Sequence, residues 1–225
     1  MEAREPHLAF ASGEGVAAVD DGNAAEIWFN KGLALAKLGR RDEALAAYDE
    51  SLRLCATFEP ALLNMANLLA SSGETGRALQ LYDRAVELHP TSAAAWNNRG
   101  WCLRGAGRLP EALVSLERAL SVDPTFARCW MNRASVLIAL RRNEEALQSA
   151  DRALACDAQL TDALVPKAIA LEQLKYTKEA IAAYSTYLDR LPPEAAAHAG
   201  PVRARLDALR NPPGAKRPWD FFRKR

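Results

Sequence analysis

AAAWNNRGWCLRGAGRLPEALVSLERALSVDPTF, residues 93–126, is the stretch that decides the fold. Trp96, Gly100 and Leu103 fall at i, i+4 and i+7, on one face of a helix. Ala112, Leu116 and Ala119 repeat that spacing on a second helix. Gly107 falls between the two, where a helix ends in a left-handed residue. Pro124 ends the second helix, because proline cannot continue it. The stretch is predicted to be two antiparallel helices joined by a short turn.

Moving outward in steps of 34 residues finds the same unit again on both sides. Ala44, Ala78, Ala112, Ala146 and Ala180 keep that step without a slip. So do Leu35, Leu69, Leu103, Leu137 and Leu171, and the aliphatic set Leu45, Leu79, Leu113, Leu147 and Ile181. Gly32, Ala66, Gly100, Ala134 and Ala168 are all small, which lets the first helix approach alanines of the second. A larger side chain there would overpack the pair, at about 1–3 kcal/mol. Trp28, Leu62, Trp96, Trp130 and Leu164 are expected to fill the space between neighbouring units. One unit cannot bury its apolar face alone, but a stack can.

With Trp96, Gly100, Ala112, Ala119 and Pro124 as markers, the chain resembles the tetratricopeptide repeat (TPR) family. The pentatricopeptide family, which reads RNA, uses a longer unit and different markers. The resemblance implies an all-α fold, a right-handed α-solenoid of tandem antiparallel helix pairs (a TPR superhelix) with a C-terminal capping helix. Five units are expected, at 25–58, 59–92, 93–126, 127–160 and 161–194. Residues 1–24 read as a flexible lead-in and 195–210 as the capping helix, with Ala196, Val202, Leu206 and Leu209 as its apolar stripe. Gly200-Pro201 is a point where that helix can restart. Tyr187 replaces the small residue of the other units, as if it meets something different. Residues 211–225 read as a disordered basic aromatic tail.

Composition narrows the function by exclusion. Net charge is +1, so nothing global points to nucleic acid or acidic partners. No apolar run has the length of a membrane span, and residues 1–11 lack the basic start and apolar core of a secretory signal. Cys55, Cys102, Cys129 and Cys156 show no paired spacing and are expected to be reduced thiols at buried or half-buried positions. The expected compartment is the cytoplasm. His7, His89 and His198 share no metal-ligand spacing, and no phosphate loop, nucleophile elbow or zinc-helix motif is present. No catalysis, cofactor, metal or small-molecule substrate is expected.

The resemblance places the first helix of each unit on a concave face. There Asn30, Asn64, Asn98 and Asn132 form a ladder that stops at Pro166. A primary amide both donates and accepts, so it suits the backbone of an extended peptide. The ladder is similar to that of the O-GlcNAc transferases. Phe29, Asn67, Trp101 and Met131 are the neighbouring candidates for selectivity, with Arg104 and Arg128 adding positive charge in the middle and Glu26, Asp162 and Glu172 negative charge toward the ends. The carboxylate clamp of chaperone-binding TPR domains is matched at Asn67, Asn98 and Arg128 but departs at Leu63 and Asn132, so two of its three cations are lost. Four amide hydrogen bonds contribute about 2–6 kcal/mol, short of the ~8 kcal/mol of micromolar affinity. The apolar anchors or an ion pair must supply the rest. Pro166 removes a donor where the fifth first-helix starts, which predicts a late or bent helix there.

The expected function is a non-enzymatic protein–protein interaction module, an adaptor, co-chaperone or assembly scaffold, binding a peptide in its groove. A second reading is a membrane-peripheral scaffold using Trp219, Phe221, Phe222, Arg223, Lys224 and Arg225 of the tail. A single-stranded RNA reading rests only on that tail and scattered groove arginines, and nucleic acid is not the expected partner.

Overall fold

The structure, a computed structural model, describes residues 21–195 and 199–211. The expected tail residues, Trp219 to Arg225 included, and Ala196 lie outside them. Among the described residues the chain forms helices and turns alone. They are α1 (Asp21–Lys37), α2 (Arg41–Leu54), α3 (Glu59–Ser71), α4 (Thr75–Leu88), α5 (Ala93–Gly105), α6 (Leu109–Val122), α7 (Ala127–Ala139), α8 (Asn143–Cys156), α9 (Leu164–Gln173), α10 (Thr177–Arg190) and α11 (Gly200–Arg210).

Each odd helix packs on the even helix that follows it, and each even helix passes the stack to the next odd one. Successive odd helices also touch, from α1·α3 to α7·α9, so they form the inner face of a superhelix. The alanine column Ala44, Ala78, Ala112, Ala146 and Ala180 is wholly buried at the helix crossings, and the leucine column from Leu35 to Leu171 is buried beside it.

The turns follow from single residues. Gly39, Gly73 and Gly107 take φ of +74°, +84° and +75°, the left-handed region that glycine enters without penalty. Arg141 and Lys175 hold the same register position at φ of +63° and +68°. The backbone demand thus outlasts the glycine. α4 and α6 stop at Leu88 and Val122, directly before His89-Pro90 and Asp123-Pro124, since proline keeps its predecessor out of the helical region.

The close approach of the paired helices differs from expectation in its partner. A Cβ on Gly32 would sit 2.6 Å from the Tyr48 ring, and one on Gly100 2.7 Å from Leu116 Cγ and 3.1 Å from the Ala112 carbonyl. The small column therefore faces large side chains as well as alanine.

The tryptophan column packs against the core as expected, but its burial is uneven. Leu62 and Leu164 are buried, but Trp28, Trp96 and Trp130 are half-buried. Trp96 and Trp130 donate their indole N–H to the carbonyls of Pro90 and Pro124, at 2.9 and 2.8 Å, and so tie the inter-unit turn to the next helix. An indole nitrogen needs a polar partner, which keeps one edge of the ring near the surface.

Both ends differ in detail from the sequence boundaries. α1 begins at Asp21, so residues 21–24 of the expected lead-in are helical. A 3-10 turn, Thr161–Ala163, precedes α9, and Pro166 sits buried in that helix's first turn, where no amide donor is needed. α9 has 10 residues where α3, α5 and α7 have 13, the late start that Pro166 predicts. α11 starts only at Gly200, with Pro201 in its first turn. Leu206 is buried against Ala168, Leu171, Ala180, Ala183 and Tyr184, with Val202 and Leu209 packed beside it. Tyr187 is half-buried, and burial together with nearby Asp162 raises its phenol pKa.

Candidate functional site

The inner face is built from the exposed side of α1, α3, α5, α7 and α9. In α5 that side carries Asn98, Trp101 and Arg104, each three residues from the next, with Asn97 buried beside them. Here the asparagine column divides. Asn30 is exposed. Asn64 donates its amide to the Pro60 carbonyl of its own helix at 2.8 Å. Asn132 is only 5% exposed and donates to Asn97 Oδ1 at 2.9 Å, while Asn97 donates to Asn98 Oδ1 at 3.1 Å. These three amides form an internal chain joining α5 to α7 rather than an open rung each. Pairing satisfies a buried amide that would otherwise be costly to desolvate.

Trp101 is the most open of the expected anchors, with 49% of its surface exposed. The Arg104 guanidinium lies over its ring, 4.0 Å from the centroid. Beside them Asn67, Ala70, Ser71, Thr75, Tyr82, Trp101, Cys102 and Gly105 enclose a cavity of about 350 Å³ between α3, α4 and α5. Asn67 accepts a hydrogen bond from the Tyr82 hydroxyl, which fixes its amide at the cavity wall. Burial raises the Tyr82 phenol pKa, so the hydroxyl stays a donor. Burial also lowers the Arg104 pKa, with no carboxylate offsetting it.

The remaining candidates fall elsewhere. Phe29 is turned into the stack, edge-on to Phe58 at 5.5 Å and tilted on Tyr48 at 6.0 Å. Its ring is committed to packing. Met131 is half-buried and Arg128 exposed, both on α7. Glu172 accepts from Arg205 at 2.5 Å and from Tyr184 at 3.1 Å, so its charge is neutralised against α11. Cys102 and Cys129 are buried free thiols, with Cys129 pushed up to about 12 chiefly by burial. Cys55 is half-buried, but Cys156 is exposed, contrary to expectation, because it is the last residue of α8.

A second set of residues escaped the column reading. Arg99 reaches Asp83 at 2.6 Å and Lys167 reaches Asp151 at 2.7 Å, each pairing an odd helix with the preceding even one. Arg133 reaches Glu117 at 3.2 Å in the same way. Arg99 and Arg133 also donate to the buried hydroxyls of Ser115 and Ser149, at 2.6 and 2.7 Å, and lie near the rings of Trp96 and Trp130. The signal was present as a basic column three residues after the tryptophans and an acidic column 16 residues before it. A larger depression of about 750 Å³ lies over Trp130 between α6 and α8. Of the polar groups that line it, Arg133 is already paired with Glu117 and Ser149.

Among the described residues no helix is long and apolar enough to cross a membrane. Models described as tetratricopeptide repeat match residues 25–58, 63–120 and 103–171. The chain is similar in structure to TTC0263, a thermophilic TPR protein in Thermus thermophilus, with 23% identity and a TM-score of 0.65 over 82% of this chain and 98% of that one. It is also similar to pilF of Pseudomonas aeruginosa, with 18% identity and a TM-score of 0.70 over 91% of this chain and 99% of that one. A third similar structure is YrrB, described as a TPR protein with an unusual peptide-binding site, with 19% identity and a TM-score of 0.59 over 81% and 95% of the two chains. At such identities the likeness is one of fold. A comparison with curated protein sequences finds no match.

Proposed function

The chain belongs to the tetratricopeptide repeat family, and from that premise we propose that it is a non-enzymatic adaptor, co-chaperone or assembly scaffold of the cytoplasm that holds an extended peptide along its odd helices. TPR proteins generally mediate protein–protein interactions. The observation that supports the peptide reading best is the cavity between α3 and α5, where Asn67 and the exposed ring of Trp101 stand on facing helices. An aromatic ring exposed on a concave face offers apolar area at little conformational cost. The description of YrrB as peptide-binding agrees with this reading.

The ligand contacts are assigned to Asn30, Asn67, Trp101, Arg104 and Arg128, with Asn64 and Asn98 adding amides already held by one neighbour each. Asn132 acts through the chain of amides that positions Asn98. Binding is weak to moderate and reversible.

The test offers the full chain a synthetic random decapeptide pool. Wild-type protein is expected to retain a reproducible subset at about micromolar affinity. Trp101→Ala, with helicity checked by circular dichroism, is expected to lose most of it. Retention of no peptide by the wild type sinks the reading, and retention unchanged by Trp101→Ala removes the site from this cavity.

A further inference from the structure

We propose that Arg104, held on the ring of Trp101 beside the α3–α5 cavity, receives a carboxylate of the bound peptide, either an acidic side chain or a free C-terminus. This rests on the peptide reading above and specifies its chemistry.

Arg104 stands outside the scheme that holds the stack together. Its register position carries Ala36, Ala70, Ile138 and Glu172 in the other units, so the guanidinium is a feature of one place in the groove. Arg99 and Arg133 pair with the preceding helix, and Arg40, Arg108 and Arg142 pair with a glutamate three residues on. Among the described residues Arg104 pairs with no carboxylate, and its Nε is buried with no hydrogen-bond acceptor. A half-buried cation without a counter-ion is desolvated at a cost that an incoming anion relieves.

The surroundings suit that anion. The indole at 4.0 Å takes one face of the guanidinium and holds its plane, leaving edge N–H groups for a planar carboxylate. The cavity beside it is lined by amide, hydroxyl, thiol and apolar groups and by no carboxylate that would repel the ligand. Its volume of about 350 Å³ is at the small end of ligand pockets, the scale of one side chain or chain terminus. Arg104 lies off the register of the chaperone clamp, whose one matched cation here is Arg128.

The experiment selects peptides from a random decapeptide library on the full chain, once with free C-termini and once with amidated ones. Wild-type protein is expected to enrich Asp or Glu at one position in both forms if the source is a side chain. Retention confined to the free form assigns the C-terminus. Replacing that Glu by Gln, or amidating the terminus, is expected to weaken binding by about ten- to hundredfold. In Arg104→Gln the same replacement is expected to change nothing, and in Arg104→Glu the selected position is expected to turn to Lys or Arg. Should Arg104→Gln not fold, Arg104→Lys takes its place: losing the fork shrinks the penalty, and an undiminished penalty overturns the proposal. Peptides retained without any carboxylate preference overturn it alone. No retention by the wild type overturns the peptide reading with it.

Discussion

Gly100 is tested most directly by one methyl group. Its Cβ would meet Leu116 Cγ at 2.7 Å and the Ala112 carbonyl at 3.1 Å, and the backbone atom cannot move aside cheaply. Overpacking costs about 1–3 kcal/mol, against about 1 kcal/mol gained in helix propensity. Gly100→Ala is therefore expected to lower stability by about 1 kcal/mol in urea denaturation, the reverse of an ordinary helical glycine. Arg141 carries the opposite sign. At φ of +63° it occupies a region that costs an L-residue roughly 1–2 kcal/mol, while glycine there gives up roughly 0.5–1 kcal/mol through the unfolded chain. Arg141→Gly is expected to raise stability by the difference, about 0.5–1 kcal/mol, read as a rise of roughly 1–4 °C in the thermal midpoint.

Among the elements, the even helices α2, α6 and α8 open alike. Arg40, Arg108 and Arg142 lie at the N-cap and donate to Glu43, Glu111 and Glu145 in the first turn. In α4 the charges are exchanged, Arg77 donating to Glu74, which also pairs with Arg41 of the preceding unit. These hydrogen bonds, more than the Coulomb attraction, hold the four glutamates below 4.5. A carboxyl whose folded pKa is depressed contributes stability above its unfolded value and loses it as pH falls through the folded one. The urea midpoint is thus expected to be flat from about pH 7 to 5 and to fall below about 4.5. Glu111→Gln should flatten part of that fall, and an unchanged profile would count against the pairing. Asp49 acts in the opposite direction, because burial raises its pKa and Met65 stands where Arg99 pairs Asp83. The pairs are solvent-exposed, so the profile changes shape more than height.

For the whole molecule, the core is not uniform along the stack. One apolar cluster runs continuously from Leu35 to Ala170, whereas α9, α10 and α11 share a smaller one around Tyr184 and Leu206. Local opening follows buried apolar contact, so amide exchange is expected to be faster in α10 and α11 than in α3 to α6. Leu206→Ala removes a side chain that is 4% exposed, at about 2–5 kcal/mol for a buried leucine. Its effect on exchange is expected in α9 to α11 alone, as each unit contacts only its neighbours. Loss of protection spreading to α3 would show the stack to be one cooperative block.

The sequence by itself determined the family, the helix pairs and the late start at Pro166, because helical spacing and proline geometry are local and the 34-residue step multiplies every weak signal. It also picked out Asn67, Trp101 and Arg104 without saying that they stand together. Only the tertiary structure decided that Phe29 turns inward onto Phe58 and that Asn132 is spent on Asn97. It alone placed Arg104 on Trp101, with no carboxylate partner among the described residues. The physical reason is that identity and spacing place a side chain on a face, but whether its polar atoms remain available depends on which neighbour claims them across the stack.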